Sequence, residues 1–178
     1  MTNPYLIGER IYLRPLEVDD ALTVAPWFNH PDVNRFIFIR PPLSFDMERD
    51  WLRKFVQGEE IVLGIVLKDG DRLIGSTGLH KIDWRNRHAA FGIVLGEPTE
   101  WNKGYGTEAT RLMVRHGFET LNLNRIWLEV YENNPRGQRV YEKIGFRVEG
   151  RLRQHTYRDN RYLDVLVMGI LREDWGKA

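Results

Sequence analysis

The residues best suited to chemistry form a short segment, Trp101-Asn102-Lys103-Gly104-Tyr105-Gly106-Thr107, between a predicted strand and a predicted helix. The two glycines, Gly104 and Gly106, allow the backbone to turn tightly and to approach a ligand closely. The helix that follows presents unpaired amide groups and the positive end of its dipole. These features favour binding of phosphate oxygens, with a pyrophosphate as the expected occupant and Lys103 adding charge at the rim.

Two better-known phosphate motifs do not fit this segment. The dinucleotide fingerprint G-x-G-x-x-G fails because Ala109 takes the place of the last glycine, and the segment lies too late for a leading βαβ unit. The Walker pattern fails because the chain contains no Gly-Lys-Ser or Gly-Lys-Thr. Taken alone, the two glycines are equally consistent with an ordinary strand–loop–helix turn.

A second segment, residues 134–146, reads Asn-Pro-Arg-Gly-Gln-Arg-Val-Tyr-Glu-Lys-Ile-Gly-Phe. Together with Gly104 and Gly106, it resembles the acetyl-CoA-binding motifs of GNAT acyltransferases, and the resemblance extends over nearly the whole chain. Arg14-Pro15-Leu16 with Asp19-Asp20 is similar to the opening of the RimJ/RimL N-terminal alanine acetyltransferases. Residues 101–105 are similar to the Trp-Gly-Lys-Gly-Tyr loop of that branch. Spermidine acetyltransferases and some amino-sugar acetyltransferases share the layout.

The resemblance implies a cofactor site for acetyl-CoA, which is the co-substrate. The pantetheine arm is expected to pair with the backbone of a strand, and the amide of Val94 or Leu95 is the expected oxyanion donor. The pyrophosphate is expected at the amides of the glycine-containing turn. The expected cofactor-binding residues are Ile93, Val94, Leu95, Trp101, Asn102, Lys103, Gly104, Tyr105, Gly106, Thr107, Asn134 and Tyr141.

The resemblance also implies two residues at the reaction centre. Asn134 is expected to bond the cofactor arm, although it also suits a helix N-cap, and both roles are compatible. Tyr141 is expected near the sulfur, where a phenol can give a proton to the departing thiolate. Its alternative interpretation is a core aromatic on a short helix.

Two positions depart from the family pattern. Trp101 stands where most members have Gln or Arg, and Ala90 stands where many have a Glu that handles the proton of the acceptor amine. A protonated amine cannot attack a thioester, so that proton needs another acceptor. The candidates are His80, Asp83, His88, Glu129 and ordered water; a surface position is favoured for both histidines, with water as the relay.

Other side chains suggest an acceptor pocket without identifying it. The aromatic candidates are Phe36, Phe38, Trp84, Tyr157 and Tyr162, which core packing explains equally well. Glu97 and Glu100 near the mouth suit attraction of a cationic amine, and also suit a solvated loop.

Composition narrows the function classes. The chain has 178 residues and a net charge of +1, which argues against a dedicated nucleic-acid binder, although arginines cluster between 147 and 161. It has no cysteine, so disulfides, thiolate metal sites and a cysteine nucleophile are excluded, and no metal is expected. The longest apolar stretches are strand-sized and no signal peptide is visible, so a cytoplasmic protein without a membrane partner is expected.

Periodicity and turn signals predict strands at 11–13, 61–67, 73–79, 88–95, 125–131 and 163–171, with another from Phe146. Helices are predicted at 18–25, where Pro26 should end or kink the helix, and at 44–57, 107–121 and 136–144. The expected fold class is α/β (α+β), specifically a GNAT fold with a mixed, V-split central sheet flanked by helices. Residues 1–178 are expected to form a single acyl-CoA N-acyltransferase domain.

The expected activity is acetyl transfer from acetyl-CoA to a primary amine, such as the N-terminal alanine or serine of a protein. The alternatives are a small amine (a polyamine, an amino sugar or an antibiotic), a non-catalytic CoA-binding module, and an RNA-associated protein that uses the arginine-rich stretch. A homodimer is a possible assembly, because dimers are frequent in this branch of the family.

Overall fold

The computed structural model describes residues 1–38, 42–55 and 60–177. Its strands are β1 (Leu6–Ile7), β2 (Ile11–Pro15), β3 (Ile61–Leu67), β4 (Leu73–Asp83), β5 (His88–Leu95), β6 (Arg125–Tyr131), β7 (Arg147–Arg158) and β8 (Arg161–Leu171). They form one eight-stranded sheet in the order β1-β2-β3-β4-β5-β6-β8-β7. Every neighbouring pair is antiparallel except β5 and β6, which run parallel, so the sheet is mixed as the sequence predicted.

The parallel strands β5 and β6 separate after a short paired section. Three residue pairs join them, ending with Ala90 opposite Trp127. Beyond that point β5 continues along β4 to Leu95, while β6 continues along β8 to Tyr131. The sheet therefore opens as a V between the two strands, which confirms the expected split.

Helices cover both faces of the sheet. They are α1 (Ala21–Asn29), α2 (Pro31–Asn34), α3 (Phe45–Phe55), α4 (Tyr105–Arg115) and α5 (Pro135–Ile144), and a π-helical turn, His116–Thr120, extends α4. The strand β5 shows how the faces divide, because its alternate side chains enter different cores. Phe91, Ile93 and Leu95 pack in the core that contains α4 and α5, whereas Val94 packs against the core that contains α1.

Two helix boundaries differ from the prediction or lie beyond what is described. Pro26 is expected from the sequence to end or kink the first helix. The expectation that it ends the helix is wrong, since α1 continues through Pro26 to Asn29. Trp27 and Phe28 are buried, and their packing holds the last turn although Pro26 lacks an amide to donate. The expected end of α3 at Gln57 lies outside the described residues.

Within residues 1–38, 42–55 and 60–177, no helix combines the length and the apolar character needed to cross a bilayer.

Glu48 is a buried carboxylic acid in the first turn of α3. It is 4% exposed, and its Oε1 atom has no hydrogen-bond partner among the described residues. Burial raises the pKa of Glu48 from 4.5 to about 6, because a charge in apolar surroundings loses its hydration. The pKa is higher in the folded state than in the unfolded state, so ionisation of Glu48 opposes folding, increasingly as the pH rises through this range.

The substitution Glu48→Gln removes this ionisation. We expect the stability of the variant relative to the parent protein to increase by about 1–2 kcal/mol between pH 4 and pH 7.5, the value of a shift of this size. Urea unfolding at the two pH values measures the difference. A relative stability that does not change with pH would contradict the assignment.

Candidate functional site

The glycine-containing turn lies in the connection between β5 and α4. Gly104 is the N-cap of α4 with φ +88°, and Asn102 also has positive φ, +62°. The helix begins at Tyr105, two residues earlier than predicted, so the amides of Tyr105, Gly106 and Thr107 belong to its first turn. Left-handed residues that alternate in this way turn successive amides toward one side, which is the geometry of an anion-binding nest.

Arg10 fixes this turn from outside and was missed by the sequence reasoning. Its Nη1 donates to the carbonyl oxygen of Lys103 at 2.8 Å, and its Nε lies 3.3 Å from Oε2 of Glu108. A side chain at Gly104 would meet Nη2 of Arg10 at 2.9 Å, whereas one at Gly106 would meet only Leu95 Cδ1 at 3.4 Å. No local motif identifies Arg10, because it precedes the turn by more than ninety residues.

Trp101 and Lys103 are engaged within the protein. The indole Nε1 of Trp101 donates to the carbonyl oxygen of Leu95 at 2.9 Å, and the guanidinium of Arg136 stacks 3.9 Å above its ring. The Lys103 ammonium lies 2.9 Å from Oε2 of Glu100. Trp101 therefore ties the turn to the end of β5, and the charge of Lys103 is paired.

The backbone of β5 presents only some of its groups to the split. In an antiparallel ladder, alternate residues direct both N–H and C=O toward the partner strand. The Gly96 amide donates to Ile74 of β4 at 2.9 Å, and the register places Val94 in phase with Gly96. The groups of Val94 thus face β4, while those of Ile93 and Leu95 face the split, where Trp101 already occupies the Leu95 carbonyl.

Asn134 lies at the N-terminus of α5 and caps it. Its Oδ1 accepts a hydrogen bond from the Gly137 amide at 3.0 Å, so the capping interpretation is observed. Asn134 also lines a cavity of about 340 Å³. The other residues lining that cavity are Asp32, Arg35, Phe36, Trp101, Asn102, Asn133, Pro135, Arg136 and Arg139.

The chemistry of this cavity suits an anionic group. Its lining carries Arg35, Arg136 and Arg139 against a single carboxylate, Asp32. Asn133, a residue that the sequence reasoning did not single out, has a buried Oδ1 atom without a partner among the described residues. The turn before α4 and the start of α5 border the same space, so helix N-terminal amides and guanidinium groups surround it.

Tyr141 lies beside the point where the split begins. It is 9% exposed, and its ring makes edge contacts with Phe91 at 6.2 Å and with Phe146 at 5.9 Å between centroids. Phe91 directly follows the last paired residue of β5. Burial raises the pKa of Tyr141 to about 12, so the phenol remains protonated at neutral pH and keeps a hydrogen that it can donate.

The aromatic candidates for an acceptor pocket do not form one group. Phe38 packs on Tyr131 of β6, with 4.4 Å between ring centroids. Tyr157 and Tyr162 make a tilted contact in the β7–β8 hairpin, with 5.0 Å between ring centroids, and Arg158 of this hairpin donates to the Ile37 carbonyl at 2.7 Å. Phe36 instead lines the arginine-containing cavity described above, which we call the basic cavity, and Trp84 is exposed in the β4–β5 turn.

The acidic residues near the mouth, and part of the arginine cluster, make hydrogen bonds or ion pairs within the fold. Glu97 accepts a hydrogen bond from Trp27, and hydrogen bonds from Lys103 and Arg72 lower the pKa of Glu100. In the arginine-rich stretch, Arg151 pairs with Glu132 and Asp164, and Arg147 pairs with Asp174. These pairings give no support to the RNA-associated alternative.

The two glycines of the turn should respond differently to substitution. Gly104→Ala places a side chain at φ +88° and against Arg10, and we expect it to weaken binding of coenzyme A at least about tenfold, equivalent to about 1.4 kcal/mol. Gly106→Ala is the matched control, and its affinity should stay within about threefold. Isothermal titration of the three proteins measures this, and equal affinities would contradict it.

Comparisons with known proteins identify the family. A model of the acetyltransferase (GNAT) domain matches residues 10–147. An uncharacterized N-acetyltransferase of Bacillus licheniformis is 30% identical over 96% of this chain and 97% of its own length. The putative ribosomal N-acetyltransferase YdaF of Bacillus subtilis is 32% identical, with 95% of each chain covered.

A solved structure supports the same identification. Spermidine N-acetyltransferase from Vibrio cholerae, in complex with CoA and spermine, superimposes with a TM-score of 0.86 at 29% identity, covering 93% of this chain and 97% of that one. Because the matched family is a family of acetyltransferases, the alternative of a non-catalytic CoA-binding module is set aside. The chain belongs to the GNAT acetyltransferase family and is an acetyl-CoA-dependent N-acetyltransferase.

Proposed function

We propose that this enzyme is a RimJ/RimL-like acetyltransferase whose acceptor is the N-terminal amine of a protein or peptide. Acetyl-CoA supplies the activated acetyl group, and transfer to the amine is direct. The observation that carries the proposal is the V-shaped opening between β5 and β6, which leads to the N-terminal turn of α4. A homodimer remains an expectation that belongs to this proposal.

The main chain supplies most of the binding groups in this proposal. The amides of residues 102–107 bind the pyrophosphate, and the arginines of the basic cavity add positive charge around it. The backbone of Ile93 and the amide of Leu95 pair with the pantetheine arm, and one of these two amides also stabilises the thioester oxygen as negative charge develops. The amide of Val94 faces β4, so it takes no part in binding the cofactor. The side chain of Val94 packs against the core that contains α1.

Tyr141 acts on the leaving sulfur as a hydrogen-bond donor. A thiol has a pKa near 8.5, so complete transfer of a proton from a phenol of pKa about 12 would cost roughly 5 kcal/mol. Donation of a hydrogen bond stabilises the departing thiolate without that cost. The burial that raises the pKa also excludes water from the sulfur.

The charge around the acceptor side favours a monocationic substrate. A polyamine carries several ammonium groups and needs several carboxylates, whereas a peptide N-terminus carries one. The carboxylates near the cleft that are already hydrogen-bonded within the fold are Glu97, Glu100, Glu132 and Asp164. Glu129 remains exposed on β6, on the same face as Tyr131, because alternate residues of a strand share a face.

A polyamine is the second candidate acceptor. The Vibrio cholerae enzyme, which shares the fold at 29% identity, is seen with spermine. A panel of peptides with N-terminal alanine or serine, polyamines and amino sugars, assayed by release of free thiol, separates the two. We expect kcat/KM for the best peptide to exceed that for spermidine at least about tenfold; the reverse order would replace the protein N-terminus by a polyamine.

The substitution Tyr141→Phe tests the donor. We expect kcat to fall about 100-fold, in the range for a group that assists a leaving atom, while the Kd for coenzyme A stays within about threefold. Because the pKa of Tyr141 lies near 12, the parent enzyme should show no loss of activity from its ionisation between pH 7 and 10. Steady-state kinetics and calorimetry measure both quantities, and a variant with full turnover would remove this role.

A further inference from the structure

His80 lies on the acceptor side of the split. It pairs directly with Ala90 across β4 and β5, so the two residues share a face of the sheet. That face also carries Gly92 and Val94, which alternate with Ala90 along β5, and Val94 packs against the core that contains α1. His80 therefore stands one strand away from the opening, on the face opposite Tyr141.

The ring of His80 lies over the glycine pair Gly78 and Gly92 of β4 and β5. Its Nε2 atom lies 3.3 Å from the position that a side chain at Gly92 would occupy, and Cδ2 lies 3.5 Å from it. A side chain at Gly78 would likewise meet Nε2, at 3.2 Å. Nε2 is therefore about equally distant from the two positions and stands between β4 and β5, with the opening on the other side of β5.

Glu60 holds the ring in this orientation. Its Oε2 atom lies 3.0 Å from Nδ1 of His80, and because a carboxylate only accepts, the Nδ1 atom carries the proton in this bond. Burial raises the pKa of Glu60, but hydrogen bonds from His80 and the Lys81 amide outweigh that effect and lower it overall. With the proton on Nδ1, Nε2 is the basic nitrogen of the neutral ring, and it is the atom directed over Gly92.

A β-bulge fixes the carboxylate as well. The register between β4 and β5 shifts after His80, and Lys81 there adopts φ +49°, which is unfavourable for a residue with a side chain. The bulge turns the Lys81 amide away from β5 and onto Oε1 of Glu60 at 3.3 Å. Two consecutive residues, His80 and Lys81, thus hold the two oxygens of Glu60, and the carboxylate in turn fixes the orientation of the His80 ring.

We propose that His80, oriented by Glu60, is the general base that removes the proton from the acceptor amine. This inference rests on the proposed acetyl transfer and replaces the sequence-based preference for a surface histidine with water as the relay. Ala90 and Gly92 form a floor of small residues on β5 beside His80, and the ammonium group is bound over that floor.

The proposed step balances in protons and electrons. Nε2 of His80 accepts one proton from the ammonium group, and the freed nitrogen lone pair forms the bond to the acetyl carbon. The carbon–sulfur bond breaks, and the sulfur leaves with its electron pair beside Tyr141. The second amine proton ends on the sulfur, and His80, whose side chain is 31% exposed, returns its proton to solvent.

Few other charged groups surround His80 among the described residues. Glu60 contacts it from the position before β3, and Asp83 ends β4. Lys81 follows it on β4, with its ammonium 5.8 Å from the centroid of the Trp127 ring on β6. On β5 the nearest ionisable residue is His88, which lies 3.8 Å from Asp83 at the end where β5 and β6 still pair. A pH profile that changes on substitution of His80 is therefore interpreted against a small set of neighbours.

The test compares His80→Gln and Glu60→Gln with the parent enzyme from pH 6 to 10, using acetyl-CoA and an N-terminal alanine peptide. At pH 7 we expect kcat/KM to fall about 100-fold in His80→Gln and about 10-fold in Glu60→Gln. The loss should shrink above pH 8, because the peptide amine, with a pKa near 8, then loses its own proton. A structural role would lower the rate equally at every pH.

The control is His155→Gln, which removes an exposed histidine on β7 and should keep full activity. The strands β5, β6 and β8 lie between β7 and β4. Calorimetry with coenzyme A should give the same Kd for all variants. His80→Gln with more than half of the parent kcat/KM at pH 7, or with a loss independent of pH, would overturn the inference; if His80→Gln does not fold, the pH profile of Glu60→Gln decides in the same way. A parent enzyme that acetylates no amine would instead refute the proposed function.

Discussion

The separation of β5 from β6 determines which backbone groups the sheet leaves unpaired. Two parallel strands that stop pairing after Ala90 and Trp127 leave backbone groups of Ile93 and Leu95 directed into an opening. Buried backbone groups need partners, and a ligand with amides along its length, such as the pantetheine arm, supplies them. The opening leads directly to the N-terminal turn of α4, so one continuous path offers amides first to an extended chain and then to a diphosphate.

The two faces of this opening carry different chemistry. Tyr141 approaches from the helical core around α4 and α5, where burial keeps the phenol protonated. His80 and Glu129 lie on the other face, toward α1–α3, where small residues on β5 leave room for an amine. In the proposed mechanism, the strand β5 separates the group that hydrogen-bonds to the leaving sulfur from the group that deprotonates the nucleophile.

Local sequence signals predicted the elements of the site but not the contacts between them. The caps of the two helices are short-range features that the sequence shows directly. Gly104 caps the start of α4, Asn134 caps the start of α5 and Gly145 caps its end. Arg10, which fixes the turn, and Glu60, which orients His80, act across strand pairings that no local pattern encodes. Pro26 shows the same limit, because the burial of Trp27 and Phe28 outweighs a local rule. Trp101 was read as a departure at a ligand contact, whereas its indole ties the turn to β5 through Leu95.

Amide hydrogen exchange followed by NMR reports on each of these backbone groups separately. Addition of coenzyme A should protect the amides of Ile93 and Leu95 and those of residues 102–107, while the Val94 amide, which already faces β4, changes little. If coenzyme A binds without protecting these amides, or protects Val94 as strongly as its two neighbours, the split between β5 and β6 is not the cofactor site and the account is contradicted.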